Sequence, residues 1–316
     1  MPSMTAFRAA VVQAGSVIFD QEATLDKVAS LTEKAAAGDA RLTVFPEAFV
    51  SGYPRGVGFG SVVGNRTLEG RDLFRRYWDS SVDVPGTAVD RLAEIAADTS
   101  QHLVIGVIER EIGTLYCTVL FFSPEGCLGK HRKLVPTAAE RVVWGFGDGS
   151  TLPVFDTQLG RLGAVICWEN YMPLLRTAMY AKGVQLWCVP TADGRETWLP
   201  TMRHVAREGG CFVFSCNQFT RLRDYPPDIT NDLATQPDEA VSLGGSCIIN
   251  PMGEVLAGPS WDGEDTLFAD IDMDEIPRAK FDFDAVGHYA RPDIFRLLVN
   301  EQPMPQVTHL EAWNQE

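Results

Sequence analysis

Three residues of different chemistry follow apolar runs in this sequence. Glu47 comes two residues after the run at 42 to 45, Lys133 closes the run at 127 to 133, and Cys167 follows the run at 162 to 166. In open α/β sheets, ligands sit beyond the carboxyl ends of strands. A carboxylate, an ammonium and a thiol at three such ends suit a nucleophile served by a base and a cationic stabiliser. Each residue also has an ordinary reading. A cysteine after an apolar strand packs as a small hydrophobe. A glutamate after Phe-Pro suits a helix N-terminus. Lys133 sits in a basic cluster with Lys130, His131 and Arg132, which water solvates well. A histidine-assisted thiol is the competing chemistry, but no motif pairs His131, His204 or His288 with Cys167. Neither C-x-x-C nor H-E-x-x-H occurs, so neither a metal nor a cofactor is expected.

The elements that must position these residues alternate between strand and helix. Strands are predicted over 7 to 12, 42 to 45 and 103 to 108, with helices marked by Leu25, Val28 and Thr32 and by Val89, Leu92 and Ala96. Residues 115 to 122 and 127 to 133 flank Ser-Pro-Glu-Gly and read as an antiparallel pair. The second half repeats the grammar, with strands at 162 to 166, 185 to 189 and 211 to 215 and helices opened by Pro173 and Leu199. A hairpin at 247 to 257 and a strand at 267 to 271 complete it. No repeat or low-complexity linker divides the chain, so one α/β domain with mixed sheets is expected over 1 to 316. The stretches 54 to 70 and 221 to 240 read as Gly- or Pro-bearing loops, candidates for an interface.

The 316 residues carry 42 Asp and Glu against 27 Lys and Arg, for a formal charge of −15. That balance argues against a nucleic-acid partner. No basic amphipathic stretch suggests a membrane surface, and no apolar run approaches the ~20 residues of a bilayer span. The acidity is local. Residues 224 to 240 hold five acids and no lysine or arginine, and residues 262 to 284 hold nine acids against two bases. The seven cysteines are an odd count and no signal peptide is evident, so reduced thiols in a cytoplasmic setting are expected.

Longer segments sharpen the reading. Residues 45 to 56 (Phe-Pro-Glu-Ala-Phe-Val-Ser-Gly-Tyr-Pro-Arg-Gly), 131 to 141, 144 to 150 and 167 to 174 (Cys-Trp-Glu-Asn-Tyr-Met-Pro-Leu) closely resemble the nitrilase branch of the carbon–nitrogen hydrolase superfamily. Pro-Thr-Ala-Asp at 190 to 193 and Gly-His-Tyr-Ala-Arg-Pro-Asp at 287 to 293 resemble it too, so the likeness runs through almost the whole chain in order. It implies that Glu47, Lys133 and Cys167 match the family's catalytic triad. Glu140 matches a second glutamate that helps position substrate and water. It also implies an α-β-β-α sandwich, stacked to four layers on each side of a homodimer or higher homo-oligomer. Many filament-forming relatives have longer tails, which speaks against a long filament here. The last ~25 residues read as a C-terminal extension of the single domain.

The resemblance implies that a small-molecule nitrile is the substrate and a carboxylic acid the product. A nitrile or cyanide hydratase, or an amidase, on the same site is the alternative. Glu169 after Trp168 favours the nitrilase, because amidase and carbamoylase relatives more often carry Asp there. The Trp168 backbone N–H is a candidate oxyanion donor. Tyr53, Trp168 and Trp187 are the candidate substrate-binding residues. Trp144 and Trp198 are further aromatics that either line a pocket or fill the core.

Overall fold

The computed structural model describes residues 5–307. Thirteen strands build its two main sheets. They are β1 (Ala6–Gln13), β2 (Ala40–Val44), β3 (Val82–Asp83), β4 (His102–Glu111), β5 (Thr114–Ser123), β6 (Gly126–Arg132), β7 (Val154–Thr157), β8 (Gly160–Ala164), β9 (Leu186–Thr191), β10 (Phe212–Asn217), β11 (Ser246–Ile249), β12 (Val255–Ser260) and β13 (Asp265–Asp272). The helices are α1 (Gln21–Ala37), α2 (Leu68–Asp79), α3 (Thr87–Thr99), α4 (Pro173–Ala181), α5 (Trp198–Gly209) and α6 (Glu275–Asp282).

The first sheet runs β13-β1-β2-β4-β5-β6, with β3 added beside β4. The second runs β12-β11-β10-β9-β8-β7. Both are mixed: β1, β2 and β4 are parallel neighbours, as are β8, β9 and β10 and the short β3 beside β4, while the other outer strands pair antiparallel. Parallel neighbours need a crossover, and α1, α3, α4 and α5 supply the helical crossovers.

Strand periodicity sorts the side chains into layers. On β1, Ala9 and Val11 face the core between the sheets, whereas Val12 faces α1 and α3. On β9, Leu186 and Cys188 face the inter-sheet core, whereas Trp187 and Val189 face α4 and α5. The result is the α-β-β-α sandwich expected from the sequence.

Helix α2 starts inside the stretch read as loop from 54 to 70. Leu73, Phe74, Tyr77 and Trp78 pack on the inter-sheet core and alternate with Arg71, Asp72, Arg75 and Arg76 at helical spacing, an amphipathic pattern that the loop reading passed over. Thr67 caps the helix by accepting from the Gly70 N–H. No helix among the described residues is long and apolar enough to cross a membrane. Of the expected C-terminal extension, residues 308–316 lie outside the described residues.

Candidate active site

Glu47, Lys133, Glu140 and Cys167 converge from four separate chain segments. Glu47 lies beyond β2. Gly106 on β4 braces its turn, donating N–H to Pro46 O at 3.1 Å and accepting from Val50 N at 3.1 Å. A Cβ at Gly106 would meet Pro46 O at 2.3 Å and Glu47 Cα at 2.7 Å, so only glycine admits this approach. Lys133 follows β6, and its backbone N–H donates to Cys117 O on β5 at 2.8 Å. Glu140 sits in the 3₁₀ turn Ala138–Val142, where its carboxylate accepts from Thr137 N at 2.6 Å.

Lys133 Nζ donates to Glu47 Oε1 at 2.6 Å and to Glu140 Oε2 at 2.7 Å. Glu140 Oε1 accepts from Tyr53 OH at 2.7 Å. Glu47 Oε1 also accepts from Cys117 Sγ at 3.4 Å. Glu47 Oε2 is buried and has no hydrogen-bond partner among the described residues. Glu47, Lys133 and Cys167 are all buried. Burial raises the Glu47 pKa, and Lys133 only partly opposes it. Burial alone would lower Lys133, but Glu47 and its other anionic neighbours hold it well above its ordinary value. Burial, then the Glu47 charge, push the Cys167 thiol up to about 12. The resting site is therefore an ammonium–carboxylate cluster beside a protonated thiol.

Cys167 sits where the chain turns sharply out of the second sheet. Its φ is +50°, a left-handed conformation that strains a side-chain-bearing residue. Two neighbours hold it. Asn170 Nδ2 donates to Cys167 O at 2.8 Å, and Asn170 Oδ1 accepts from Trp187 Nε1 at 2.9 Å. Glu169 Oε2 accepts from Ile166 N at 2.6 Å and from His131 Nε2 at 2.9 Å, while Oε1 accepts from Leu134 N at 2.7 Å. One buried carboxylate thus ties the turn carrying Cys167 to the chain on both sides of Lys133. Burial would raise Glu169, but His131 and the two amides bring it below its ordinary value; burial would lower His131, but Glu169 brings it above. On the other side, Thr191 Oγ1 donates to Cys167 Sγ at 3.2 Å.

Cys167 opens on a cleft of about 220 Å³ lined also by Tyr53, Arg55, Glu140, Trp168, Asp193 and Arg195. A hollow of about 540 Å³ adjoins it, sharing Tyr53, Arg55, Glu140 and Trp168 and adding Trp144. A larger hollow, about 690 Å³ between residues 57 to 76 and 228 to 232, holds none of the four converging residues. Trp168 is half exposed at the cleft, with its Nε1 donating to Asp193 Oδ2 at 2.9 Å and Arg195 stacked 5.1 Å from its ring.

Trp187 is not at the cleft. The two-residue period of β9 turns its ring toward α4 and α5, where it is fully buried against Tyr180. This corrects the expectation that it binds substrate; its indole is linked to the site by its hydrogen bond to Asn170. Trp198 is buried in the same layer and donates to Ser215 Oγ at 3.0 Å. His131 is neither solvated nor beside Cys167, but fully buried against Glu169. Sequence reading assigned no role to Thr191, Asn170, Cys117 or Arg55. Thr191, Asn170 and Arg55 lie inside quoted segments, which is the one signal the sequence offers for them. Arg55 donates to Ala192 O, and its buried Nε has no partner among the described residues.

The carbon–nitrogen hydrolase family profile matches residues 8–281. A bifunctional nitrilase/nitrile hydratase, NIT4A, of Lupinus angustifolius is 58% identical over 312 residues, covering 96% of this chain and 89% of that protein. An aliphatic nitrilase of Sinorhizobium fredii is 55% identical over 304 residues, covering 96% and 99%. Among solved structures, Nit3 of Saccharomyces cerevisiae, a member of branch 10 of the nitrilase superfamily, superposes with a TM-score of 0.70 at 23% identity, covering 92% of this chain and 99% of that one.

Proposed function

The chain belongs to the nitrilase branch of the carbon–nitrogen hydrolase family, and on that premise we propose that it converts an organic nitrile to a carboxylic acid and ammonia through a covalent Cys167 intermediate. The observation that carries this reading is the buried Glu47–Lys133–Glu140 cluster beside the Cys167 thiol.

A nitrile carbon is a weak electrophile, and a neutral thiol is a poor nucleophile. Glu47, made more basic by burial, takes the Cys167 proton as the sulfur adds to the nitrile carbon. Oε2 is the oxygen free to accept it. Negative charge developing on the nitrogen is met by the Lys133 ammonium, and the proton taken by Glu47 passes to that nitrogen, giving a thioimidate and returning Glu47 to its carboxylate form. Glu47 next takes a proton from water attacking the thioimidate. Ammonia leaves, a thioester remains, and a second water releases the acid and restores the thiol. Glu140 keeps Lys133 aimed through its 2.7 Å contact and orders Tyr53 at the cleft. The Trp168 N–H serves the acyl steps as oxyanion donor.

The second reading, release of the amide, is favoured by the names of several relatives, which pair nitrilase with nitrile hydratase. The two differ in whether the tetrahedral intermediate expels ammonia or the thiol. A panel of aliphatic, aromatic and arylacetonitriles, with ammonia and amide both assayed, tests the assignment. Acid and ammonia in equal amounts are expected; amide with little ammonia would sink it. Seven unpaired cysteines support a reducing, cytoplasmic location. Exposed Tyr171, whose ring meets Trp168, and exposed Leu174 on α4 support pairing of two copies through this face, which size-exclusion chromatography would test.

A further inference from the structure

The parallel register of the second sheet sets Ala164 of β8 opposite Cys188 of β9. The same step along each chain brings Cys167 beside Thr191, the last residue of β9. Thr191 is fully buried, and its hydroxyl makes two contacts with defined roles. Oγ1 accepts from Asp193 N at 3.1 Å and lies 3.2 Å from Cys167 Sγ. A hydroxyl has one proton to donate. With the Asp193 amide directed at the oxygen, that proton points at the sulfur.

We propose that Thr191 is a further catalytic residue of this site, its hydroxyl donating to Cys167 Sγ and holding the sulfur in the anionic form that attacks. The inference rests on Cys167 being the nucleophile. A neutral thiol is a weak acceptor, whereas a thiolate accepts strongly. The contact therefore strengthens as the proton leaves and stabilises the transition state more than the resting site. It is suited to this site because burial and Glu47 both oppose the thiolate. Lys133 favours it but is already engaged by Glu47 and Glu140. Thr191 is the one hydroxyl with its hydrogen bond on Sγ among the described residues, and it competes with no carboxylate for its proton.

The test is the rate at which iodoacetamide alkylates Cys167 as a function of pH, read by mass on the peptide carrying it. Thr191→Val keeps the shape and removes the hydroxyl, while Thr191→Ser keeps the hydroxyl. Glu47 and Lys133 at the sulfur, and Glu140, Tyr53, Arg55, Asp193 and Arg195 around the cleft, stay the same in all variants. Thr191→Val is expected to alkylate about tenfold more slowly across pH 6 to 9, with the rate still rising with pH, and Thr191→Ser to match the wild type. An unchanged rate in Thr191→Val across that range overturns the proposal, as does an equal loss in Thr191→Ser. Thr191→Ala replaces the valine variant if that does not fold, with the same two readings. Alkylation needs no nitrile turnover, so this result stands apart from the nitrilase assignment. The nitrilase assignment fails separately if amide forms with little ammonia, and the Cys167 nucleophile on which the inference rests fails if Cys167→Ala still hydrolyses nitriles.

Discussion

His131 Nε2 lies 2.9 Å from Glu169 Oε2, and both side chains are fully excluded from solvent. The pair sits behind the site rather than in it. Its carboxylate also accepts the amides of Ile166 and Leu134, the residues next to Cys167 and Lys133. Removing one partner of a buried pair leaves the other uncompensated, at roughly 3–5 kcal/mol. Glu169→Gln should cost about that much stability, because an amide NH₂ would face an N–H donor. It should also lower kcat more than it raises KM, since it loosens the spacing of the reacting groups. Calorimetry and steady-state kinetics check this; an unchanged kcat would remove the positioning role.

The same pair makes a pH prediction. His131 is raised above its ordinary 6.5, so its contribution is full below about pH 6.5 and is lost as pH rises through the folded value. Glu169 is lowered below its ordinary 4.5, so its contribution is full above that and is lost as pH falls through the folded value. Both are full together between those limits. The stability gap between wild type and His131→Gln should therefore be widest between pH 4.5 and 6.5 and narrow at higher pH. Urea midpoints across that range measure it; a gap that widens steadily toward alkaline pH would contradict it.

Cys167→Ala should abolish turnover with the fold intact, because a thiol-to-methyl change in a buried site is small. Glu47→Gln and Lys133→Ala should each reduce kcat/KM by at least about 10²-fold. Circular dichroism and kinetics on the three variants, with His131, His204 and His288 substitutions beside them, check the assignment. Loss in a histidine variant matching that in Cys167→Ala, without loss of structure, would point to a different base.

Glu47 must be ionised to act as base, and burial raises its pKa. The acid limb of kcat/KM should then lie above 4.5, the ordinary carboxyl value. A pH–rate profile checks this; a limb at or below 4.5 would remove Glu47 as the titrating base.

Gly106→Ala should destabilise the protein by roughly 1–3 kcal/mol and displace the Glu47 turn, because the added methyl group meets backbone atoms that cannot rotate away. Activity should fall further than stability explains. Thermal melting and kcat/KM measured together test the link; full activity in a destabilised variant would break it.

Much of this protein is a local property of its sequence. Continuous apolar runs place the strands, and Glu47, Lys133 and Cys167 follow strand ends because those positions are read along the chain. The ordered Phe-Pro-Glu, His-Arg-Lys and Cys-Trp-Glu segments carry the family. What the sequence did not reach depends on partners distant in the chain. Trp187 faced the helices rather than the cleft because which side of β9 meets the other sheet is decided by packing. Helix α2 is an exception, because its apolar positions 73, 74, 77 and 78 carry a local helical period that the Gly-bearing stretch before it obscured. His131 reads as one of several surface cations until the second sheet brings Glu169 against it. Thr191 gains a role only when parallel register sets it beside Cys167. Burial then makes those contacts matter, because desolvation shifts the thiol, the carboxylates and the ammonium, and desolvation exists only in the folded chain.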